Sequence, residues 1–142
     1  MGVHTPRMHS AAQRYRLGIE RELTARHFLT VPDAGPEGEL HAHHYGVEIV
    51  LEGAELDEYG YLVDIDRLEV LLDETLERFS GAILNDLAEF GGDNPSVERF
   101  ARVIGDAVAG TLDAPHLDLL TVRLWEDDVA WASHQRPLAD SR

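Results

Sequence analysis

A histidine-rich segment that runs directly into an alternating strand pattern constrains the fold of this chain more than any other feature. Residues 41–44 read His-Ala-His-His and hold three of the eight histidines of the 142-residue chain. Residues 46–51 read Gly-Val-Glu-Ile-Val-Leu, an alternation that predicts a half-buried β-strand. Because side chains on a strand alternate between its two faces, we expect His41 and His43 to share one face and His44 to occupy the other.

The shared face of His41 and His43 indicates a metal site. A catalytic zinc ion typically has three protein ligands and one open position, so two neighbouring imidazoles supply two of the three. A second alternating stretch, at about 15–28, predicts a first strand with His27 near its C-terminal end. If this strand pairs antiparallel with a second strand at about 40–53, His27 is brought towards the other two histidines. The alternative is that these are surface imidazoles on a polar strand face.

The composition excludes several classes of function. The chain has no cysteine, which rules out disulfides, cysteine-ligated zinc and a cysteine nucleophile. Its 27 acidic residues face 12 basic ones, all arginine, and such a surface repels nucleic acid and anionic lipid. No apolar run is long enough to span a membrane and no signal peptide is readable, which favours a cytoplasmic protein. The acidity and the absence of lysine favour adaptation to high salt, with an acidic protein from a GC-rich genome as the alternative.

Two amphipathic helices are predicted in the middle of the chain. The first is expected to follow its cap, Asp64, and has one apolar face with helical spacing. Residues 82–87 fit one further helical turn. The second is expected to be capped by Asn94, with Pro95 at its first position and Gly110 at its end.

Two more strands are expected after the helices, at 117–125 and 129–134, joined by an acidic turn at 126–128. The order β-β-α-α-β-β predicts an α+β domain, with a four-stranded antiparallel sheet and two helices on one face. The expected divisions of the chain are a disordered N-terminus at 1–12, a single domain at 13–136 and a tail at 137–142.

With these elements in place, the chain resembles the 6-pyruvoyl-tetrahydropterin synthase and 6-carboxy-tetrahydropterin synthase family. The resemblance covers about residues 15–134. It rests on five features in order: His27, the His-Ala-His-His-Tyr segment at 41–45, Gly-Tyr-Leu-Val-Asp at 60–64, Asn-Pro-Ser-Val-Glu at 94–98, and Leu-Trp-Glu at 124–126.

The resemblance implies a tunnelling fold, in which three subunits join their sheets into a barrel and two trimers usually stack. We therefore expect a homotrimer or homohexamer with active sites between subunits and a small pterin as substrate. It also implies zinc bound by His27, His41 and His43, and a glutamate, here Glu126, that grips the pterin ring. A carboxylate can accept two hydrogen bonds from adjacent N–H groups of the pterin. Ser96, at a helix N-terminus, is a further candidate for substrate binding.

The chain departs from the family pattern where proton transfer is expected. The family's cysteine, four residues before the first histidine of the pair, is replaced by Glu37. A family segment Leu-Asp-His-x-x-Leu-Asn corresponds to 79–85, where Ser80 and Gly81 stand in place of Asp and His. Glu37 is therefore the candidate catalytic base, with an ordinary solvated loop acid as the alternative.

Three functions remain open on the sequence. The first is a zinc-dependent pterin lyase acting on a dihydroneopterin or its phosphate, giving 6-hydroxymethyl-dihydropterin by retro-aldol cleavage with Glu37 as base. The second is a 6-carboxy-tetrahydropterin synthase of deazapurine biosynthesis. The third is a non-catalytic paralogue that binds zinc and a pterin.

Overall fold

A computed structural model describes residues 13–138. They form one four-stranded antiparallel sheet with two helices packed on it. Neighbouring strands in the sheet are also neighbours in the chain. The strands are β1 (Tyr15–His27), β2 (His41–Gly53), β3 (Leu119–Glu126) and β4 (Ala130–Pro137). The predicted order of elements and the antiparallel sheet are confirmed. The stretch expected to be a disordered N-terminus, 1–12, and the last four residues of the expected tail lie outside the described residues.

The register between β1 and β2 brings the two ends that carry histidines together. His27, the last residue of β1, pairs with His41, the first of β2, and at the other end Tyr15 pairs with Gly53. Because the pairing is continuous, alternation places His27, His41 and His43 on one face. On that face β2 then continues into buried apolar residues, so the histidines extend the core side of the sheet.

Two thirteen-residue helices, α1 (Ile65–Glu77) and α2 (Val97–Ala109), are attached to this core side. Asp64 caps α1 as predicted, because its carboxylate accepts the backbone N–H groups of Asp66 and Arg67. The helix then buries one residue per turn, namely Leu68, Leu72 and Leu76. Within 13–138, no helix is long and apolar enough to cross a membrane.

An aromatic cluster beneath the strand that carries His41 and His43 joins α2 to the sheet. Phe100 of α2 is fully buried, and its ring centroid lies 5.0 Å from that of Tyr45, 5.5 Å from Phe79 and 5.8 Å from Phe90. Burying one such ring contributes about 1.5–3 kcal/mol to stability. Since Tyr45 follows His43 by two residues on the same face, this cluster anchors the strand that presents the histidines.

The second helix begins two residues later than predicted. Asn94 was expected to be its cap, with Pro95 at the first helical position. Instead Ser96 is the cap, and its hydroxyl accepts the backbone N–H of Arg99 at 3.2 Å. The Asn94 side chain turns away and accepts the backbone N–H of Thr30 at 2.8 Å. A contact with a distant loop therefore overrides the local capping preference of asparagine.

The predicted acidic turn at 126–128 lies one residue later in the chain, at 127–129. Glu126 is the last residue of β3, where it pairs with Tyr45 on one side and Ala130 on the other. The fourth strand also runs on to Pro137, beyond the predicted end at 134. Pairing with β3 accounts for both differences, because the ladder continues where the alternation of apolar residues has stopped.

Candidate metal centre and active site

The three histidines at the junction of β1 and β2 converge on one point, and we refer to His27, His41 and His43 as the histidine cluster. Each offers one ring nitrogen, and these nitrogens lie within 4.8 Å of one another. The ring centroids are 4.7–5.0 Å apart and the ring planes meet at 73–86°. This is the arrangement of a group that could hold a metal ion.

The second nitrogen of every ring in the cluster is held by an acceptor. The acceptors of the Nδ1 groups are the Pro95 carbonyl for His27 at 3.0 Å, the Glu39 carbonyl for His41 at 2.7 Å, and the Asp127 carboxylate for His43 at 2.6 Å. Carbonyls and an ionised carboxylate only accept, so each Nδ1 carries the proton and each Nε2 has a free lone pair. Metal-bound histidines are oriented in the same manner.

The spacing within the cluster fits a shared cation. The Nε2 atoms of His41 and His43 are 3.1 Å apart, although both rings already donate from Nδ1. Two nitrogen lone pairs at this distance repel one another unless a positive charge lies between them. Three neutral imidazoles with an open fourth position are a donor set that suits zinc.

Burial keeps His27 in the form that binds metal. His27 is 2% exposed, and among residues 13–138 it is the one polar residue that is buried in the core. Burial lowers the pKa of His27, and the neighbouring His43 acts in the same direction. The neutral imidazole is therefore favoured, and neutral imidazole is the metal ligand.

Two asparagine side chains fix the chain just after His27. Asn85 makes two hydrogen bonds of 2.9 Å with the backbone of Phe28, one to its N–H and one to its carbonyl. Asn94 accepts the N–H of Thr30 at 2.8 Å. Asn94 belongs to a segment by which the chain resembles its family, and Asn85 is the last residue of the segment that departs from it at Ser80 and Gly81. No sequence pattern indicated what either side chain contacts.

Glu126 projects from the end of β3 on the same face as the cluster. Its carboxylate lies 3.7 Å from the Nε2 of His43, and the side chain is about one-quarter exposed. Burial raises the pKa of Glu126, and the negative charges of Asp127 and Glu37 add to this while the imidazoles oppose it. This carboxylate therefore lies beside the cluster and is partly exposed to solvent.

Glu37 lies in the short 3₁₀ turn Gly35–Gly38 between β1 and β2. Its backbone carbonyl accepts the N–H of Leu29 at 2.8 Å, which ties the turn to the end of β1. The side chain is exposed, and its negative charge acts to raise the pKa of both His27 and Glu126. The carboxylate is thus near the cluster but makes no hydrogen bond to it within the described residues.

Ser96, the other predicted substrate-binding residue, uses its hydroxyl oxygen to cap α2. The residue before it, Pro95, supplies the carbonyl that holds His27. The 94–96 segment therefore supports the cluster through its backbone, and a contact of Ser96 with substrate stays a prediction.

Asp127 is a site residue that the sequence reasoning missed, because it stood among three consecutive acids and was assigned to a turn. Its backbone has a φ of +53°, in the left-handed region that aspartate tolerates better than most residues. The backbone N–H of His44 and the ring of His43 both donate to its carboxylate, and they lower the pKa of Asp127. The available signal was a carboxylate directly after Glu126, the glutamate predicted to bind the pterin.

The segment in which the family has its Asp and His is bound to the edge of β1. The backbone N–H of Gly81 donates to Thr24 at 2.6 Å, and the Gly81 carbonyl accepts the guanidinium of Arg26 at 2.9 Å. The helical turn predicted at 82–87 is present as the 3₁₀ turn Leu84–Asp86. Ser80 is exposed, and neither it nor Gly81 offers a titratable group.

Comparison with known proteins agrees with this architecture. The family model described as 6-pyruvoyl tetrahydropterin synthase matches residues 16–137. A 6-carboxy-5,6,7,8-tetrahydropterin synthase of Bacillus subtilis is 32% identical over 103 residues, which cover 70% of this chain and 68% of that protein.

Solved structures of low sequence identity have the same fold. The 6-pyruvoyl tetrahydropterin synthase of Plasmodium vivax superposes with a TM-score of 0.75 at 15% identity, over 88% of this chain and 99% of that one. Structures of that protein also exist with a catalytic glutamate replaced by alanine or by cysteine. The enzyme of Caenorhabditis elegans superposes with a TM-score of 0.74 at 18% identity, over 87% of this chain and 96% of that one. The chain belongs to the 6-pyruvoyl tetrahydropterin synthase family.

Proposed function

We propose that this protein is a zinc-dependent pterin lyase that acts on a dihydroneopterin or its phosphate and releases 6-hydroxymethyl-dihydropterin. The observation that supports this most is the histidine cluster, in which three Nε2 atoms converge beside the carboxylate of Glu126. Family membership supports a pterin as the substrate class.

The residues of the cluster would hold the zinc ion through their Nε2 atoms. When bound, zinc supplies a Lewis acid for an oxygen of the substrate side chain. Glu126 is proposed to accept two hydrogen bonds from adjacent N–H groups on the pterin ring, a geometry that suits a carboxylate. Its position 3.7 Å from the Nε2 of His43 supports this role, because a ring held there would lie beside the proposed zinc site.

Glu37 is proposed as the base. A carboxylate is a weak base for a carbon acid but a reasonable one for an activated hydroxyl, and retro-aldol cleavage begins at a hydroxyl. The hydroxyl proton passes to Glu37, the adjacent C–C bond breaks as a carbonyl forms on the leaving fragment, and a proton returns to the carbon that stays on the pterin. The exposed position of Glu37 near His27 and Glu126 supports this role. So does the catalytic glutamate of the Plasmodium vivax protein.

The 6-carboxy-tetrahydropterin synthase reaction is the second candidate, and the 32% identity to the Bacillus subtilis enzyme favours it. Against it stands the family pattern, in which that reaction normally uses the cysteine and histidine that this chain replaces with Glu37 and Gly81. The lyase reading needs only groups that are present.

The assembly is proposed to be a homotrimer or homohexamer. Within 13–138, the outer edge of β4 and the part of β1 before Thr24 have no paired strand, and closing several sheets into a barrel removes such edges. We further propose that the substrate is not a triphosphate, because a triphosphate would need arginine side chains close to the cluster. Arg26, the chain neighbour of His27, is on the opposite face of β1 and donates to the carbonyl of Gly81.

The test is product identification by mass after zinc-loaded protein is incubated with dihydroneopterin, its monophosphate and its triphosphate. Glu37→Gln keeps the shape of the side chain and removes the base, so activity should fall by about 10²–10⁴-fold. Glu39→Gln is the matched control, since that side chain is exposed in the same loop and only its backbone carbonyl contacts the cluster.

Three results of this assay would contradict the proposal. Activity of Glu37→Gln close to that of Glu39→Gln would make Glu37 a bystander. Formation of 6-carboxy-tetrahydropterin would favour the second candidate. Tight pterin binding without conversion of any substrate would favour a non-catalytic zinc- and pterin-binding paralogue.

A further inference from the structure

Asp127 is bound at both carboxylate oxygens to the strand that presents the metal ligands. Its Oδ2 accepts the Nδ1–H of His43 at 2.6 Å, and its Oδ1 accepts the backbone N–H of His44 at 3.0 Å. Its own backbone N–H donates to the His44 carbonyl at 2.7 Å. Three hydrogen bonds therefore fix this acid relative to β2.

The hairpin between β3 and β4 thus delivers two acids to opposite sides of one imidazole. Glu126, the last residue of β3, lies 3.7 Å from the Nε2 of His43, and Asp127 contacts its Nδ1. The left-handed backbone of Asp127 makes this possible, because the chain leaves the strand at that residue and turns its carboxylate back towards β2.

His43 differs from the other two ligands in the kind of group that holds it. His27 and His41 donate to neutral backbone carbonyls, whereas His43 donates to a carboxylate. Hydrogen bonds to an ionised acceptor are shorter and stronger than neutral ones. A carboxylate behind a histidine ligand also fixes its tautomer and raises the basicity of the nitrogen that faces the metal.

We propose that Asp127 is a positioning residue of the metal centre, which holds His43 as the Nδ1–H tautomer and strengthens its Nε2 as a metal ligand. This inference rests on the proposed function only in requiring that the histidine cluster binds a metal ion. It assigns Asp127 no contact with substrate.

Asp127→Asn removes this function with little change in shape. An asparagine side chain has one oxygen acceptor and one NH₂ donor, so it can satisfy only one of the two N–H groups that Asp127 satisfies. Its NH₂ must face either the Nδ1–H of His43 or the backbone N–H of His44. The matched control is Asp128→Asn, which removes the same charge from an exposed position in the same turn.

The first test is zinc affinity, measured by competition with a chromophoric chelator for wild type, Asp127→Asn and Asp128→Asn under identical buffer. Asp127→Asn should bind zinc about 10–100-fold more weakly, the usual effect of losing an outer-shell partner. Asp128→Asn should bind like wild type. Equal affinities of the two variants would overturn the proposal.

The second test needs no variant and so does not depend on how Asp127→Asn folds. Nitrogen-15 NMR of the metal-free wild-type protein at alkaline pH should place the proton of His43 on Nδ1. A proton on Nε2 would overturn the proposal. Asp127-dependent zinc binding without conversion of any pterin would remove the lyase proposal and leave this inference standing. Failure of the wild type to bind zinc would overturn both the lyase proposal and this inference, because both require that the histidine cluster binds a metal ion.

Discussion

The histidine cluster and the part of the site expected to move protons are built in different ways. Every imidazole of the histidine cluster is held at its Nδ1 by a hydrogen-bond acceptor. His27 is also buried, and its acceptor is the carbonyl of Pro95, just before α2. Glu37, by contrast, is exposed in a short 3₁₀ turn, and Ser80 and Gly81 offer no acid or base. The histidine cluster is therefore held in a fixed arrangement, whereas this chain departs from the family pattern at the positions expected to transfer protons.

The largest effect is expected from removing a ligand of the cluster. His41→Ala should lower zinc affinity by more than ~100-fold, beyond the range usual for outer-shell changes, because two imidazoles cannot complete the site. His44→Ala is the matched control, since this exposed neighbour is on the other face of β2 and contacts Glu22. Bound zinc measured by elemental analysis after gel filtration distinguishes the two. Equal zinc content in both variants would contradict the assignment of the cluster.

A smaller effect on zinc affinity is expected from removing Asn85, which fixes the backbone just after His27. Asn85→Ala leaves the N–H and carbonyl of Phe28 without their partner, which should cost about 1–3 kcal/mol of unfolding free energy. It should also weaken zinc binding, because the end of β1 is no longer fixed. Urea denaturation and chelator competition measure the two effects, with the exposed neighbour Asp86→Ala as control. A loss of stability at unchanged zinc affinity would show that the histidine cluster tolerates movement of His27.

The sequence predicted the architecture and the cluster because both follow from local periodicity. Alternation around His41 and His43 fixes their shared face, and an antiparallel partner that ends in His27 must meet them. The Asp64 cap was also predictable, since capping involves only residues in the next turn.

The parts that could not be predicted depend on contacts between distant segments. Asn94 has a strong local preference for capping, yet its side chain binds Thr30 across 64 residues of chain. Asp127 and His43 are 84 residues apart, and no periodicity marks their contact. The hydrogen bonds that support the histidine cluster therefore depend on contacts between distant segments, whereas the cluster itself follows from two strands adjacent in the chain.

The smallest effect concerns Ser96, whose capping role is compared with that of Asp64. Ser96→Ala and Asp64→Ala should each lower the unfolding free energy by about 1 kcal/mol, since each removes one N-cap. Only Ser96→Ala should also raise KM for the pterin, because Ser96 directly follows Pro95, whose carbonyl holds His27. Thermal denaturation and steady-state kinetics measure the pair. Equal KM values would limit Ser96 to capping.

The most direct test of the metal centre is X-ray absorption at the zinc edge of the zinc-loaded wild-type protein. The convergent Nε2 atoms predict one zinc ion per chain, bound to three imidazole nitrogens at about 2.0–2.1 Å with one further light-atom ligand. Zinc bound by fewer than three imidazoles, or no zinc after loading, would contradict it.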